Sequence, residues 1–439
     1  MFNKTLITMN KRITIIIGAG APLGFTYPEK MNKPSTSYIT DVVRKPYNHY
    51  DGREIDVVDK IYQKLLKEYP ASFQSINDWK TMPSAPNINF EMLFHVMESY
   101  LSFERTWSGN CKNADISPVF ALFTQAVKGV DYRRDDLSYI MDGFIIRIMD
   151  IVNDYNQLYF MNKDKEESWY RNFFCQESLK LDVFNFNYDT TIEDSIENYE
   201  DGFEPMNNIP DVERFNPQKL WKNEKNLSTI NHIHGCIRYF YPGLWHNEDN
   251  IYTIHDLFKY KDYNTVKQMM LGRGQSNPTT QDHSEYYGGP IITGLRKTDK
   301  LNCIPYDFYH GHLYNCLMQN EALIIIGYSF GDLYMNNLID RMDLLHDTNK
   351  KVVLIDFWDE KEIIESRFDH YLEYKVPSNM ASFMMRMSGE NNVYTLAKEL
   401  QYKNADTPMY AGNLMVFSGG FKQAAKHKDE IFNFVECSS

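Results

Sequence analysis

The sequence predicts an α/β fold built on a parallel sheet with helices on both faces, and three observations lead there. Short apolar runs at Ile13–Ile17, Leu323–Ile326 and Val352–Ile355 are each closed by Gly or a polar turn. Runs this short and β-branched, with no polar alternation, are strands buried on both faces. Between them lie long stretches with apolar residues at three- and four-residue steps, the helical period. Strands that alternate with helices pair in parallel, because the helix supplies the crossover.

Taken in chain order, the strand Ile13–Ile17 ends in Gly18-Ala19-Gly20. Helical periodicity then occupies Glu54–Tyr69, Phe90–Phe103 and Asp135–Phe160. The block from about 54 to 178 therefore reads as a helical module inserted into, or packed against, the sheet. Leu181–Phe186 and Ile230–His234 fit two more strands, and Leu333–Leu345 a helix following the strand Leu323–Ile326. Residues 197–228 are polar and rich in Pro and Asn, and 242–289 include a Gly/Ser/Pro/Gln stretch; both read as surface excursions. Residues 1–375 are expected to form one domain, with 376–439 a C-terminal extension packing on it.

Composition narrows the function classes. A chain of 439 residues, 43% hydrophobic and 24% charged, can bury a large core. The 59 acidic residues outnumber the 46 basic ones, for a formal charge of −13. That field opposes non-specific attraction to nucleic acid or an anionic membrane. The apolar run Ile13–Ile17 is too short for a membrane span or signal-peptide core, so a soluble, cytoplasmic protein is expected. The six cysteines are scattered without a C-x-x-C pair, which fits reduced thiols better than a zinc ribbon.

Five strand ends carry side chains suited to chemistry. Gly18-Ala19-Gly20 permits a close approach of backbone N–H groups to a pyrophosphate, or serves a tight turn. Asn187 and Asp189 follow the strand Leu181–Phe186, where side chains face the ligand crevice of a parallel sheet; Asp189 could equally cap the helix that begins at Thr190. His232-Ile233-His234-Gly235-Cys236 would put three metal-ligand types on one strand face, but three ligands in a flat row cannot easily enclose a tetrahedral ion. His234, at a strand end before Gly235, suits a general base. Gly327-Tyr328-Ser329-Phe330-Gly331 opens a helix at Asp332, and Gly327 and Ser329 can approach phosphates. It also matches a hydrolase elbow with Ser329 as nucleophile, for which His346 and His370 are badly placed partners. Asp356 ends the strand Val352–Ile355, a position that can hold a ribose or cap a helix.

The order of these motifs resembles the sirtuin family, and within it a divergent bacterial branch of antiphage NAD hydrolases. Asn89-Phe90-Glu91 and Ile292-Thr293-Gly294-Leu295-Arg296-Lys297 add to the likeness. The resemblance covers about residues 12–375. It implies a Rossmann-like sheet plus a helical module, with NAD between them as substrate and no metal. Gly18, Ala19 and Gly20 would hold the pyrophosphate, Asn187 and Asp189 the nicotinamide-side ribose, and Gly327, Ser329 and Asp356 the adenosine half. His234 would be the catalytic base. The four-cysteine zinc module and Asp-Phe-Arg segment of protein-deacylating sirtuins are absent, which makes water the expected acceptor. The resemblance further implies an effector that depletes NAD on activation, as a homo-oligomer or with a partner such as a ring-shaped ATPase or translocase. A non-catalytic NAD- or ADP-ribose-binding regulatory subunit is the rival expectation.

Overall fold

A computed structural model describes residues 11–49, 51–76, 88–108, 134–176, 178–207, 209–241, 245–247, 250–252, 257–271, 287–294, 297–358, 379–390, 396 and 406–436. Strands β1 (Arg12–Ile17), β2 (Lys180–Asn185), β3 (Tyr199–Glu200), β4 (Ser228–His232), β5 (Ala322–Ile326), β6 (Lys351–Ile355), β7 (Met409–Ala411) and β8 (Leu414–Phe417) form one sheet. Its order is β7-β8-β6-β5-β1-β2-β4-β3. Every neighbouring pair is parallel except β7 with β8.

The apolar runs explain the burial. In β5 the residues Leu323, Ile324, Ile325 and Ile326 are all fully buried. Successive side chains point to opposite faces, so both faces of the strand are covered. Each such side chain contributes about 1.5–3 kcal/mol on leaving water. Pairing aligns like with like: Ile15 lies opposite Ile324 on one side and Val183 on the other.

From β1 the chain builds β2 and β4 to one side, then crosses back to place β5, β6 and β8 on the other. This is the strand sequence of a dinucleotide-binding α/β fold, and its reversal between β1 and β5 leaves a crevice beyond their carboxyl ends. The fold is Rossmann-like.

Between β1 and β2 lie helices α1 (Thr36–Val43), α2 (Val57–Ile76), α3 (Phe90–Ser108), α4 (Arg134–Asn162) and α5 (Ser168–Phe174). The helical block thus begins at Thr36, earlier than the expected 54. Ser35 starts it by accepting from the Tyr38 N–H at 3.2 Å. The remaining helices used below are α6 (Thr191–Ser195), α7 (Tyr263–Leu271), α8 (Tyr306–Gln319), α9 (Leu333–His346), α10 (Asn379–Ser388) and α11 (Lys428–Glu436). Helix α4 packs against α1, α3 and α7, while α11 packs on β5 and β6.

The polar stretch 197–228 is more ordered than its composition suggests. It contains β3 and two strands, Phe203–Pro205 and Val212–Phe215, of a small antiparallel sheet completed by Phe258–Tyr260 and Tyr239–Phe240. Val212 and Phe215 are buried while Glu213 and Arg214 are more exposed, so each strand offers too few apolar residues to register as a pattern. Of the second excursion, 272–286 lies outside the described residues, and α7 occupies part of the rest. Strands β7 and β8 extend the main sheet from within the C-terminal segment. Among the described residues no helix is long and apolar enough to cross a membrane. Cys175, Cys236, Cys303 and Cys316 form no disulfide among the described residues; Cys111, Cys437 and His370 lie outside them.

Candidate functional site

The site assembles where β1 and β5 part. The Gly18 N–H donates to the Ile326 carbonyl at 2.8 Å and the Gly20 N–H to the Gly327 carbonyl at 2.9 Å. A Cβ on Gly18 would lie 2.5 Å from the Gly327 oxygen, and one on Gly20 2.8 Å from the Gly327 Cα. Gly327 itself has φ +60. These glycines let two backbone loops cross in contact, so that crossing is what a side chain would obstruct first. Two of the three N–H groups assigned to a pyrophosphate are spent inside the protein. The N–H of Ala19, exposed at the tip, has no acceptor among the described residues. The loop leads into a single 3-10 turn, Pro22–Gly24, with no long helix directly behind it.

Asn187 is buried beside this crossing. Its Nδ2 donates to the Gly18 carbonyl at 3.0 Å, and its own N–H donates to Asn185 Oδ1 at 3.0 Å. The Asn187 Oδ1 carries no bond among the described residues. Asp189 is only 2% exposed and its carboxylate is engaged on both oxygens. Oδ1 accepts from the Thr191 N–H and hydroxyl at 3.0 and 2.5 Å, and Oδ2 from the Tyr155 hydroxyl at 3.0 Å. It therefore ties the start of α6 to α4, close to the capping alternative.

The row His232, His234, Cys236 does not share one face. Strand β4 ends at His232, and Gly235 turns the chain with φ +91. A Cβ there would lie 2.2 Å from the Pro290 carbonyl oxygen, so only glycine fits. His232 points to Glu193, Nε2 to Oε1 at 3.1 Å. His234 points elsewhere: its Nδ1 is 3.3 Å from the Phe186 carbonyl and its Nε2 is 3.6 Å from Asp332 Oδ2. The expectation that alternation aligns all three is corrected by the strand ending two residues early.

Burial and the nearby Lys297 push the His234 imidazole below its ordinary pKa, while Asp332 and Glu91 pull it back. A proton on Nδ1 satisfies Phe186 and leaves Nε2 as a bare base facing Asp332. A proton taken up at Nε2 would then face a carboxylate. Burial disfavours the Asp332 anion, but His234 and the α9 backbone outweigh this and hold its pKa down at about 2. Its Oδ1 accepts from the Tyr334 and Met335 N–H groups at 3.1 and 3.2 Å, capping α9. Glu91, on the helix opened by Asn89, pairs with Lys297 at 2.7 Å.

Ser329 is exposed on the loop after β5, and among the described residues it makes no hydrogen bond to a histidine. His346 is occupied with the Leu317 carbonyl at 2.8 Å, at the far end of α9. Among the described residues the nucleophile-elbow alternative thus finds no base, and His370 lies outside them. Asp356 stands half-buried at the end of β6, with Oδ2 accepting from the Trp358 indole at 2.8 Å. The sequence marked Asp332 only as a cap; its place five residues after Gly327, on a loop abutting the strand reversal, was the available signal. The sequence reading did not identify α8, which brings His310 into this neighbourhood.

Two groups of metal-ligating types are present among the described residues: Asp182, His312 and Cys316, and Glu193, His232 and Cys236. In each the carboxylate already faces cations. Arg12 pairs with Asp182, and Arg238 and Lys259 lie 2.7 and 3.4 Å from Glu193. A bound metal would have to compete with these side chains.

Sheet order and crevice together define an α/β protein of the Rossmann-like class. Comparison adds to this: residues 182–375 match the model of the SIR2-like domain, which supports a sirtuin-like family for that stretch. SIR2-like family members are NAD-dependent enzymes, so the domain points to NAD-related chemistry. The match includes Asn187, Asp189, His234, Gly327, Ser329, Asp332 and Asp356, while Gly18, Ala19 and Gly20 precede it. No curated protein matches the chain.

Proposed function

We propose that this protein is an NAD hydrolase that cleaves the nicotinamide–ribose bond to give nicotinamide and ADP-ribose. The observation that carries the reading is the convergence of Asn187 and the His234–Asp332 pair on the crevice at the strand reversal.

The chemistry asks little of the protein. Nicotinamide departs neutral with the bonding electron pair, leaving positive charge on the ribose. Water attacks the anomeric carbon, and its proton must go to a base. Asn187, anchored through Nδ2 on Gly18, offers Oδ1 to orient that water. His234 takes the proton at Nε2, where Asp332 stabilises the imidazolium as it forms. Phosphates would use the Ala19 N–H and Ser329, and Asp356 the adenosine half. Asp189 would support the site through α6 and α4 rather than by direct contact.

In the organism, such an enzyme fits an antiphage effector that stays silent until triggered. A homo-oligomer or a partner such as a ring-shaped ATPase would supply the switch, and the cytoplasm would supply the NAD. The test is nicotinamide release from NAD by the purified chain, alone and with the product of its neighbouring gene. Release that disappears in His234→Ala supports the reading. Tight NAD binding without release in any condition would instead leave a regulatory subunit.

A further inference from the structure

Helix α8 carries a buried histidine that no described residue satisfies. His310 is 6% exposed, and neither ring nitrogen has a hydrogen-bond partner among the described residues. Two other polar side chains on the same helix are served, although the buried Tyr306 hydroxyl is also without a partner among the described residues. The Tyr309 hydroxyl donates to the Asp201 carbonyl at 2.8 Å, and His312 Nε2 lies 3.2 Å from the Thr229 hydroxyl. Burying an imidazole with both nitrogens idle costs free energy, and native proteins seldom tolerate it without a ligand, a water or a role.

Its surroundings are those of the reacting end of the crevice. Tyr306, one turn earlier on the same stripe of α8, reaches the turn that carries His234: a Cβ on Gly235 would lie 2.8 Å from the Tyr306 hydroxyl. The His310 ring lies 5.6 Å from that of Tyr334, two residues past Asp332. Its electrostatic neighbours are His234 and Asp332.

We propose that His310 binds the substrate, giving and accepting hydrogen bonds with an uncharged group on the nicotinamide-riboside half of NAD. The proposal rests on the NAD reading above. A neutral imidazole has one N–H and one lone pair, which complements either the nicotinamide carboxamide or a ribose hydroxyl. Burial, and secondarily His234, push the His310 pKa down to about 3. The ring therefore stays neutral at physiological pH and does not repel the cationic pyridinium. A lysine or a protonated histidine here would.

The test is calorimetric titration of the full chain with two ligands that it does not hydrolyse. One is an NAD analogue whose nicotinamide-side ribose oxygen is replaced by carbon; the other is ADP-ribose. His310→Phe should weaken the analogue about tenfold, the loss expected for about 1.4 kcal/mol. His310→Gln, which keeps a donor and an acceptor, should retain most of the affinity. Weakening of the analogue alone assigns the carboxamide, and weakening of both ligands assigns a ribose hydroxyl. Wild-type affinity for both ligands in a folded His310→Phe overturns the proposal. Failure of the wild type to bind either ligand instead removes the NAD reading beneath it. If the Phe variant does not fold, the His310 ring ¹⁵N shifts in the wild type decide: they must move on saturation with the analogue, and unmoved shifts overturn the proposal.

Discussion

Asn187 donates its side-chain amide to the Gly18 carbonyl at 3.0 Å, across 169 residues of sequence. That bond joins the loop after β2 to the loop after β1, and so couples the amide that would orient water to the glycine crossing. Asn187→Ala should therefore lower nicotinamide release by about 10²-fold or more while leaving the fold intact. Release at the wild-type rate in a preparation with an unchanged melting curve would remove Asn187 from the chemistry.

His234 and Asp332 predict a pH signature. Asp332 raises the His234 pKa against burial and Lys297. Asp332→Asn removes the raising partner, so the imidazole should lose its proton at lower pH. The acidic limb of kcat/KM should shift to lower pH, and the plateau should drop about tenfold or more because a weaker base accepts the proton. Lys297→Met should shift the same limb the other way, since a lowering charge is gone and Glu91 remains. Limbs that coincide in all three proteins would rule out His234 as the titrating base.

Gly18→Ala tests the backbone crossing. The new methyl would meet the Gly327 carbonyl oxygen at 2.5 Å, a contact that neither backbone can relieve cheaply. A loss of about 1–3 kcal/mol is expected for overpacking of this kind. Chemical denaturation measures it, and an unchanged midpoint would show that the two loops do not touch.

Glu193 makes stability depend on acid. Burial alone would raise its pKa, but Lys259, Arg238 and His232 outweigh burial and hold it well below the ordinary carboxylate range. A carboxyl depressed in the folded state stabilises the fold fully above its unfolded pKa of about 4.3, and that contribution is lost as pH falls below this value. Glu193→Gln takes a carboxylate from the partly buried Arg238 and from Lys259, which keeps Asp201 at 2.6 Å, and should cost about 1–3 kcal/mol at neutral pH. It should also flatten the fall in melting temperature below about pH 4. Equal acid sensitivity in both proteins would contradict this.

Much of the sheet was legible because its strands are buried on both faces. Ile13–Ile17, Leu323–Ile326 and Val352–Ile355 had no polar alternation to confuse them with edge strands. Strand β8, Leu414–Phe417, is just as apolar and as long as two of those runs but lies in the segment read as an extension on the domain, and the strands near 203 and 212 are shorter or more polar. Short strands draw their stability from neighbours that sequence does not name.

Residue order alone specified the central strands and the polar residues at their carboxyl ends, because burial and turn chemistry are local properties written in residue type. Tertiary packing settled which of those ends meet. It aimed His234 at Asp332 and His232 at Glu193, turned Gly18 and Gly20 toward Gly327, and brought His310 beside the site from a helix that periodicity had not marked. Such choices depend on register, on the positive φ of Gly235 and on contacts between distant segments. No local pattern encodes them, because each is fixed by the space the other segments leave.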